Sequence, residues 1–491
     1  MSLALTPAAP RDAAPACAGA WLITGLVLVY ALRLGIVAAS GASLYVDEAQ
    51  YWHWSRELHW GYYSKPPMIA LLIAASTALF GDGVLGVKAL AMACYPATAL
   101  ALHRLGCEMS GPRAGLIAAL LFIASPLAGI LGLAATTDGP LLLAWSLALW
   151  ALWRAVSGGS LHAWLAFGVL LGLGLYSKYT MAALLPTAAL LVAVTAHDRA
   201  RAWRGLLLAV LVAVPMLLPH LAWNAAQGWP TLQHTAQITA DVSRDPGHGA
   251  WRSLAEFVLG QALVLGPPLV LLALTWSWRA RDAAMTPPLR FSLCAGAPLL
   301  ALGLLQALHA KAQLNWVAPA HLGLLLAIAL CADASARRAR AAALAAALQL
   351  ALLTLLTAAP LPASLDLWAR MRGWQPGFAS LHDAASHHRG GVVVGTDRTV
   401  IAQAAYHWRD LDLRFVAFNP GGGVHHHYEL TSRWPPQLAA GTPLLLLSGG
   451  AWPPGLCEPF ASVSALGHYR GAVELRLAQA RAGSGDGRAC P

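Results

Sequence analysis

Apolar stretches close to the length of a bilayer crossing recur between residues 21 and 359, and they constrain this chain more than anything else in it. They lie near 19–40, 84–107, 114–131, 140–156, 163–176, 180–196, 205–222, 253–277, 291–309, 316–333 and 341–359. A helix needs roughly 20 apolar residues to cross the hydrocarbon core, so the pattern predicts about eleven crossings. The stretch 163–176 is short, which would set the turn at Lys178 below the membrane surface. Residues 66–80 are also short, and interrupted, and read as an interfacial helix. Composition points the same way. Residues of types AVILMFWYC make up 58% of the chain and charged residues only 11%, against about 25% charged in soluble domains. A chain so poor in charge cannot cover a water-facing surface, and lipid removes that demand.

The formal net charge is +10, but the basic residues are spread over short loops rather than gathered in a patch. That distribution excludes nucleic acid as a partner and encodes topology instead. One alternating set of loops holds Arg104, Arg113, Arg154, Arg199, Arg201, Arg204, Arg279, Arg281, Arg290, Arg337, Arg338 and Arg340. The other holds Arg56, Lys65, Lys178, Arg244, Arg252 and Lys311. The richer set is expected in the cytoplasm, with an Ala/Pro-rich tail at 1–18 on the same side. A cleaved signal peptide ending near Ala38-Ala39-Ser40 is the competing reading of the first stretch.

The membrane unit is expected to span 19–359. From Pro360 the pattern changes to that of a small α/β domain, 360–491, on the outer side. Val392–Val394, Leu413–Phe418, Leu444–Leu447 and the alternation Val473, Leu475, Leu477 read as strands, and 399–409 as a helix. Cys457 and Cys490 both fall here and are placed to pair if the compartment is oxidising. The fold class expected is thus an all-α polytopic membrane protein with a small C-terminal α/β domain.

The polar residues are few enough to be weighed one by one. The loop 41–83 opens with Asp47 and Glu48, then gathers Tyr51, Trp52, Trp60, Tyr62, Tyr63 and Lys65. Two carboxylates at a membrane boundary are either solvated loop acids beside an aromatic belt, or functional. The chain has four lysines, Lys65, Lys88, Lys178 and Lys311, and three of them lie in outer loops against the positive-inside trend. Ammonium groups are compact charges suited to phosphate. Snorkelling at span ends explains each lysine singly; their shared face suggests a phosphate site. Asp138 either caps the helix beginning near Pro140 or takes part in chemistry. Arg33, inside the first span, either snorkels or pairs with Asp47 or Glu48. The tract His425-His426-His427 looks metal-binding, yet consecutive residues seldom aim three imidazoles at one ion. No ligand set compels a metal, although Asp47, Glu48 and Asp138 together could take a divalent cation.

These motifs resemble the polyprenyl-phosphate-sugar-dependent glycosyltransferases of the GT-C fold. That group includes the protein O-mannosyltransferase-like, aminoarabinose transferase-like and lipopolysaccharide galacturonosyltransferase-like families. The matching elements are Asp47-Glu48-Ala49 with Tyr51-Trp52, then Trp60-Gly61-Tyr62-Tyr63 and Lys65-Pro66-Pro67. Thr137-Asp138, the Gly174–Tyr179 turn and Asn315-Trp316 extend the likeness. The resemblance implies an inverting enzyme of the bacterial inner membrane with its site facing the periplasm. Its donor would be a polyprenyl-phosphate sugar and its acceptor a hydroxyl of a lipid or glycan, or of a protein. Asp47 would be the catalytic base, with Glu48 orienting the acceptor or buffering Asp47. Lys65, Lys178 and Lys311 would bind the donor phosphate, and Tyr51, Tyr62, Tyr63, Asp138 and Tyr179 the substrate. A lipid or solute transporter is the rival reading. The absence of paired broken helices in the sequence pattern and the gathering of charge at one face count against it.

Overall fold

The computed structural model describes residues 16–241, 249–279, 285–309, 312–362, 364–419, 421, 423–432, 439 and 441–482. Each of the eleven apolar segments is helical. Six helices are long and apolar enough to cross a membrane: Gly19–Ala39, Val84–Met109, Asp138–Gly158, Arg199–Ala226, Pro287–His309 and Ala336–Ala358. Four segments are carried by shorter apolar helices, Pro112–Ile123, Leu161–Ser177, Tyr179–Thr195 and Ala320–Asp333. The helix Met68–Phe80, at 13 residues, rises about 20 Å and falls short of the core thickness, as expected for 66–80.

Two segments expected to be single spans are broken. Residues 253–277 form Ala250–Leu265 and Pro267–Trp276, bent by 96°. The cause is local: Gly266 takes φ +103°, which favours glycine, and prolines follow at 267 and 268. Residues 114–131 form Pro112–Ile123 and Pro126–Leu131. Pro126 lacks the N–H that would continue the helix, and Ser125 instead caps the second piece by accepting from Ala128 N. The break frees carbonyls inside an apolar body, where they need donors. Arg33 supplies one, its Nη2 lying 2.7 Å from Ile123 O, and Gln349 Nε2 lies 3.4 Å from Ala124 O. Arg33 is 6% exposed, so it neither snorkels nor pairs with Asp47 or Glu48; it closes a helix end.

The helices pack through small residues, as lipid-embedded helices do when dispersion rather than hydrophobicity holds them. At Gly106 a Cβ would come within 2.8 Å of Gly115 Cα, so Val84–Met109 and Pro112–Ile123 meet backbone to backbone. Helix starts on the arginine-rich face carry side-chain caps: Ser160 on Ala163 N, Asp198 on Arg201 N and Ser335 on Arg338 N. On that face Asp333 also ties three helix ends together, accepting from Ser110 Oγ at 2.7 Å and Arg113 Nε at 2.6 Å.

The opposite face carries the C-terminal domain. Its strands are β1 Val392–Gly395, β2 Arg414–Ala417, β3 Pro443–Ser448, β4 Phe460–Arg470 and β5 Glu474–Ala482. They form one sheet in the order β2-β1-β3-β5-β4. β1 is parallel to β2 and β3, while β5 is antiparallel to β3 and β4. The helix Arg398–His407 makes the crossover from β1 to β2. The apolar runs expected as strands are all present. β4 was not foreseen, because most of its residues are exposed and it shows little apolar alternation. Cys457 is disulfide-bonded, while Cys490, the partner suggested by the sequence, lies outside the described residues.

Candidate active site

The start of the 41–83 segment is a helix, Val46–Arg56, rather than an open loop. Glu48 nucleates it: its Oε2 accepts from the backbone N–H of Tyr45 at 2.8 Å. Asp47 and Glu48 then sit in the first turn, where the helix dipole favours carboxylates. Successive helical residues point about 100° apart, so the two acids face different surroundings.

Glu48 faces inward. Lys88 Nζ lies 2.6 Å from each of its oxygens, and Ala135 N donates to Oε1 at 2.6 Å. Both side chains of the pair are 1% exposed. Lys88 also reaches Leu133 O at 3.3 Å. The expected place of Glu48 beside an acceptor or Asp47 is thereby corrected. Its oxygens are engaged by Lys88 and two backbone amides, and it joins the 46–56 helix to Val84–Met109 and the 133–135 turn.

Asp47 faces the C-terminal domain. Its Oδ1 accepts from Arg398 Nη1 at 2.8 Å, and Arg398 also reaches Gln50 Oε1 at 3.1 Å. The Asp47 side chain is 40% exposed, open enough to exchange a proton with a ligand.

Asp138 is the third acid. It is the first residue of the helix Asp138–Gly158, whose N-cap is Thr137 without a side-chain cap hydrogen bond, so Asp138 does not cap the helix as the sequence suggested and its carboxylate holds a polar centre instead. Lys178 Nζ donates to its Oδ1 at 2.8 Å and Asn315 Nδ2 to its Oδ2 at 3.1 Å. Lys178 is brought there by the end of Leu161–Ser177. Segments 40 and 177 residues further along the chain therefore meet at one carboxylate.

The Lys65 ammonium has no hydrogen-bond or ion-pair partner among the described residues, while its carbonyl accepts from Tyr62 N at 3.0 Å. Burial and the neighbouring Lys178 push its ammonium down to about 8, against the opposing pull of Asp47 and Asp138. His234, on the helix Pro230–Asp241, is pushed down to about 4 by burial and by Lys65 and Arg398. Tyr51 is raised well above its usual range by burial, with Asp47 adding to the effect. Asp47, Tyr51, Lys65, Asp138, Lys178, His234 and Arg398 thus share one electrostatic field. Lys311 lies outside the described residues.

The other tyrosines divide by position. Tyr62 stacks on Trp54 at 4.5 Å, and its hydroxyl donates to Trp54 O at 3.0 Å. It is buried at 1% exposure, so its expected contact with substrate gives way to holding the returning chain against the 46–56 helix. Tyr63 packs against His234 and its hydroxyl donates to Val424 O at 3.3 Å, reaching the C-terminal domain. Tyr179 Oη lies 2.6 Å from His220 Nε2, and His220 Nδ1 lies 2.6 Å from Trp60 O. A carbonyl only accepts, so Nδ1 carries the proton and the Tyr179 hydroxyl donates to Nε2. This chain ties Tyr179 to the first loop.

The histidine tract does not converge. His425 and His426 donate their backbone N–H groups to Glu429, while the His427 ring packs on Trp54 and Tyr62. Among the described residues no group of three or more His, Cys, Asp or Glu could hold a metal ion. The set Asp47, Glu48 and Asp138 does not assemble, because Glu48 turns to Lys88. Sequence reasoning missed Arg398 and Lys88. Lys88 carried a signal as a lysine within the start of an apolar span, a costly place without a partner. Arg398, from 351 residues further along, carried none.

Residues 64–223 match the family described as dolichyl-phosphate-mannose-protein mannosyltransferase. The chain is 29% identical over 439 residues to the lipid A galacturonosyltransferase RgtD of Rhizobium johnstonii, covering 87% of this chain and 91% of that one. A stretch of 173 residues is 34% identical to the undecaprenyl phosphate-alpha-4-amino-4-deoxy-L-arabinose arabinosyl transferase of Pseudomonas paraeruginosa, covering 32% of this chain and 30% of the relative. Among solved structures, ArnT from Cupriavidus metallidurans bound to undecaprenyl phosphate superposes with a TM-score of 0.69 at 14% identity, covering 95% of this chain and 98% of that one. At that identity the match speaks for the fold, which is of the GT-C type. The resemblance drawn from the first loop is thus found again in sequence and in fold.

Proposed function

We propose that this chain, a relative of the GT-C glycosyltransferases that use lipid-linked sugars, moves a sugar from a polyprenyl-phosphate donor to a hydroxyl acceptor, with inversion at the anomeric carbon. The observation that carries the reading is the open Asp47 carboxylate lying in the same field as the unpartnered ammonium of Lys65. An acceptor hydroxyl is a poor nucleophile until a base takes its proton, and Asp47 is the half-exposed acid of the cluster. The leaving group is a lipid phosphate, whose developing charge Lys65 is placed to meet. Lys178, held by Asp138 and Asn315, supports the positive potential there and orients the pocket.

The site is taken to open on the outer face of a bacterial inner membrane, with eleven crossings below it. Charge supports this: the arginine-rich helix ends lie on the face away from the C-terminal domain. The polyprenyl tail would lie along the apolar helices, many of whose large side chains face outward, such as Leu211, Leu218, Leu263 and Leu271. The relative aligned over most of its length is named for lipid A and galacturonic acid, which makes lipid A the first acceptor to test. Purified protein in liposomes, given a radiolabelled polyprenyl-phosphate uronic acid and lipid A, is expected to label lipid A. Label that stays on the carrier with every hydroxylated lipid, glycan or protein offered would count against a transferase.

A further inference from the structure

The helix Arg398–His407 of the C-terminal domain is fastened to the first loop along its whole length. Gln403 Nε2 donates to Leu44 O at 2.9 Å, the Tyr406 hydroxyl to Asp82 O at 3.1 Å, and His407 Nε2 lies 3.0 Å from Ser43 Oγ. Asp397 caps the helix, accepting from Thr399 N at 2.8 Å and Val400 N at 3.1 Å. The cap fixes where the Arg398 backbone sits. The Arg398 side chain nevertheless remains 37% exposed and that of its partner Asp47 40% exposed, whereas the Asp138 side chain is 4% exposed. The pair that joins the two halves of the protein is therefore the open one.

Among the described residues, the charges acting on Lys65 are the cations Lys178 and Arg398 and the anions Asp47 and Asp138, while Glu48 is closed in by Lys88. Asp138 is already occupied by Lys178 and Asn315. A lipid phosphate entering this cluster meets one cation without an acid, Lys65, and one whose acid is exposed, Arg398.

The transfer changes charge at two places together. The acceptor oxygen forms its bond to the anomeric carbon while the bond from that carbon to the phosphate oxygen breaks. The electron pair leaves with the phosphate, which passes from a singly charged diester to a doubly charged monoester. The acceptor proton passes to Asp47, which becomes neutral. Arg398 loses its anionic partner as a second negative charge appears on the phosphate.

On the strength of that transferase reading, we infer that Arg398 is a further phosphate ligand, held by Asp47 in the empty enzyme and passed to the leaving phosphate during transfer. A guanidinium suits this exchange, because it stays charged at any working pH and its fork matches both carboxylate and phosphate oxygens. Gln50 Oε1 accepts from the same Nη1 that Asp47 holds, so the side chain keeps a pivot when Asp47 lets go. The C-terminal domain then contributes a residue to the reacting centre rather than only covering it.

The test compares two lipids that differ by one charge. Full-length protein in detergent is titrated with polyprenyl phosphate and with its methyl diester at about pH 7.5, above the second phosphate pKa of about 6. Arg398→Gln is expected to weaken the doubly charged monoester about tenfold and the diester no more than about threefold. Arg398→Lys, which keeps the cation but not the fork, is expected to weaken the monoester about threefold. If Arg398→Gln does not fold, the lysine variant decides alone. Wild-type affinity for the monoester in either folded variant, or an equal loss for both lipids in Arg398→Gln, overturns the role of Arg398. Wild-type protein that binds neither lipid overturns the carrier reading itself, and the arginine's role with it.

Discussion

At the residue scale the two neighbouring acids have opposite settings. Asp47 is half-exposed against one arginine, and Glu48 is closed in by Lys88 and two backbone amides. Removing one member of a buried pair strands the other as an unpaired charge, which costs roughly 3–5 kcal/mol. Glu48→Ala and Lys88→Met are each expected to lower thermal stability by about that amount. The double variant should lose less than the sum, as a double-mutant cycle on purified protein would register. Additive losses would mean the pair is not coupled. Lys65 gives a second expectation. Its pKa is depressed to about 8, so it is charged below that pH and loses its proton above it. Donor affinity in the empty enzyme should hold steady below pH 8 and fall above it. Lys65→Arg should remove that alkaline fall, because a guanidinium does not titrate in the range. Affinity that stays level to pH 9.5 in the wild type would exclude Lys65 from the phosphate. Sequence alone brought Asp47, Lys65, Asp138 and Lys178 onto one face, because lysine is scarce and loops alternate. It could not separate Asp47 from Glu48, since which acid faces the cleft depends on helical phase and on Lys88, which arrives from the next span.

At the scale of elements, apolar run length announced the apolar helices of the membrane body but not the polar Val46–Arg56 and Pro230–Asp241, while the breaks were hidden inside those runs. A run of apolar residues reads the same whether it is straight or bent by 96°. Pro126 and the Gly266-Pro267-Pro268 run were local signals, yet prolines within Val84–Met109, Arg199–Ala226 and Pro287–His309 leave those helices continuous. What decides is whether neighbours satisfy the freed groups, as Arg33 and Gln349 do at 123–124. Gly266 is the sharper constraint. Its φ of +103° disfavours any side chain, and a Cβ there would collide with the Gln349 amide. Gly266→Ala is expected to cost at least about 1–2 kcal/mol from the backbone alone. Thermal unfolding in detergent would register the loss, and an unchanged midpoint would show that the bend can relax. The strands of the C-terminal sheet were legible where they are buried on both faces, as in β1 and β3. β4 was not, because an edge strand with exposed side chains carries no apolar signature.

At the scale of the whole molecule, the site belongs to neither half alone. The membrane body supplies Asp47, Lys65, Asp138, Lys178 and Asn315, and the C-terminal domain supplies Arg398. Such long-range assembly cannot be read from local pattern, which is why the roof of the site was absent from the sequence reading while its floor was present. On the proposed function the body has two tasks: its apolar surface would accommodate a lipid carrier, and its helix ends would fix charges where the carrier's phosphate lies. The central claim is that Asp47 is the base of a transfer from a lipid phosphate. The most direct measurement is single-turnover transfer by purified Asp47→Asn from a radiolabelled polyprenyl-phosphate sugar, with donor binding measured in parallel. The substitution keeps the shape and removes the base. Transfer is expected to fall by about 10²–10⁴-fold while donor binding persists; transfer at the wild-type rate would contradict the account.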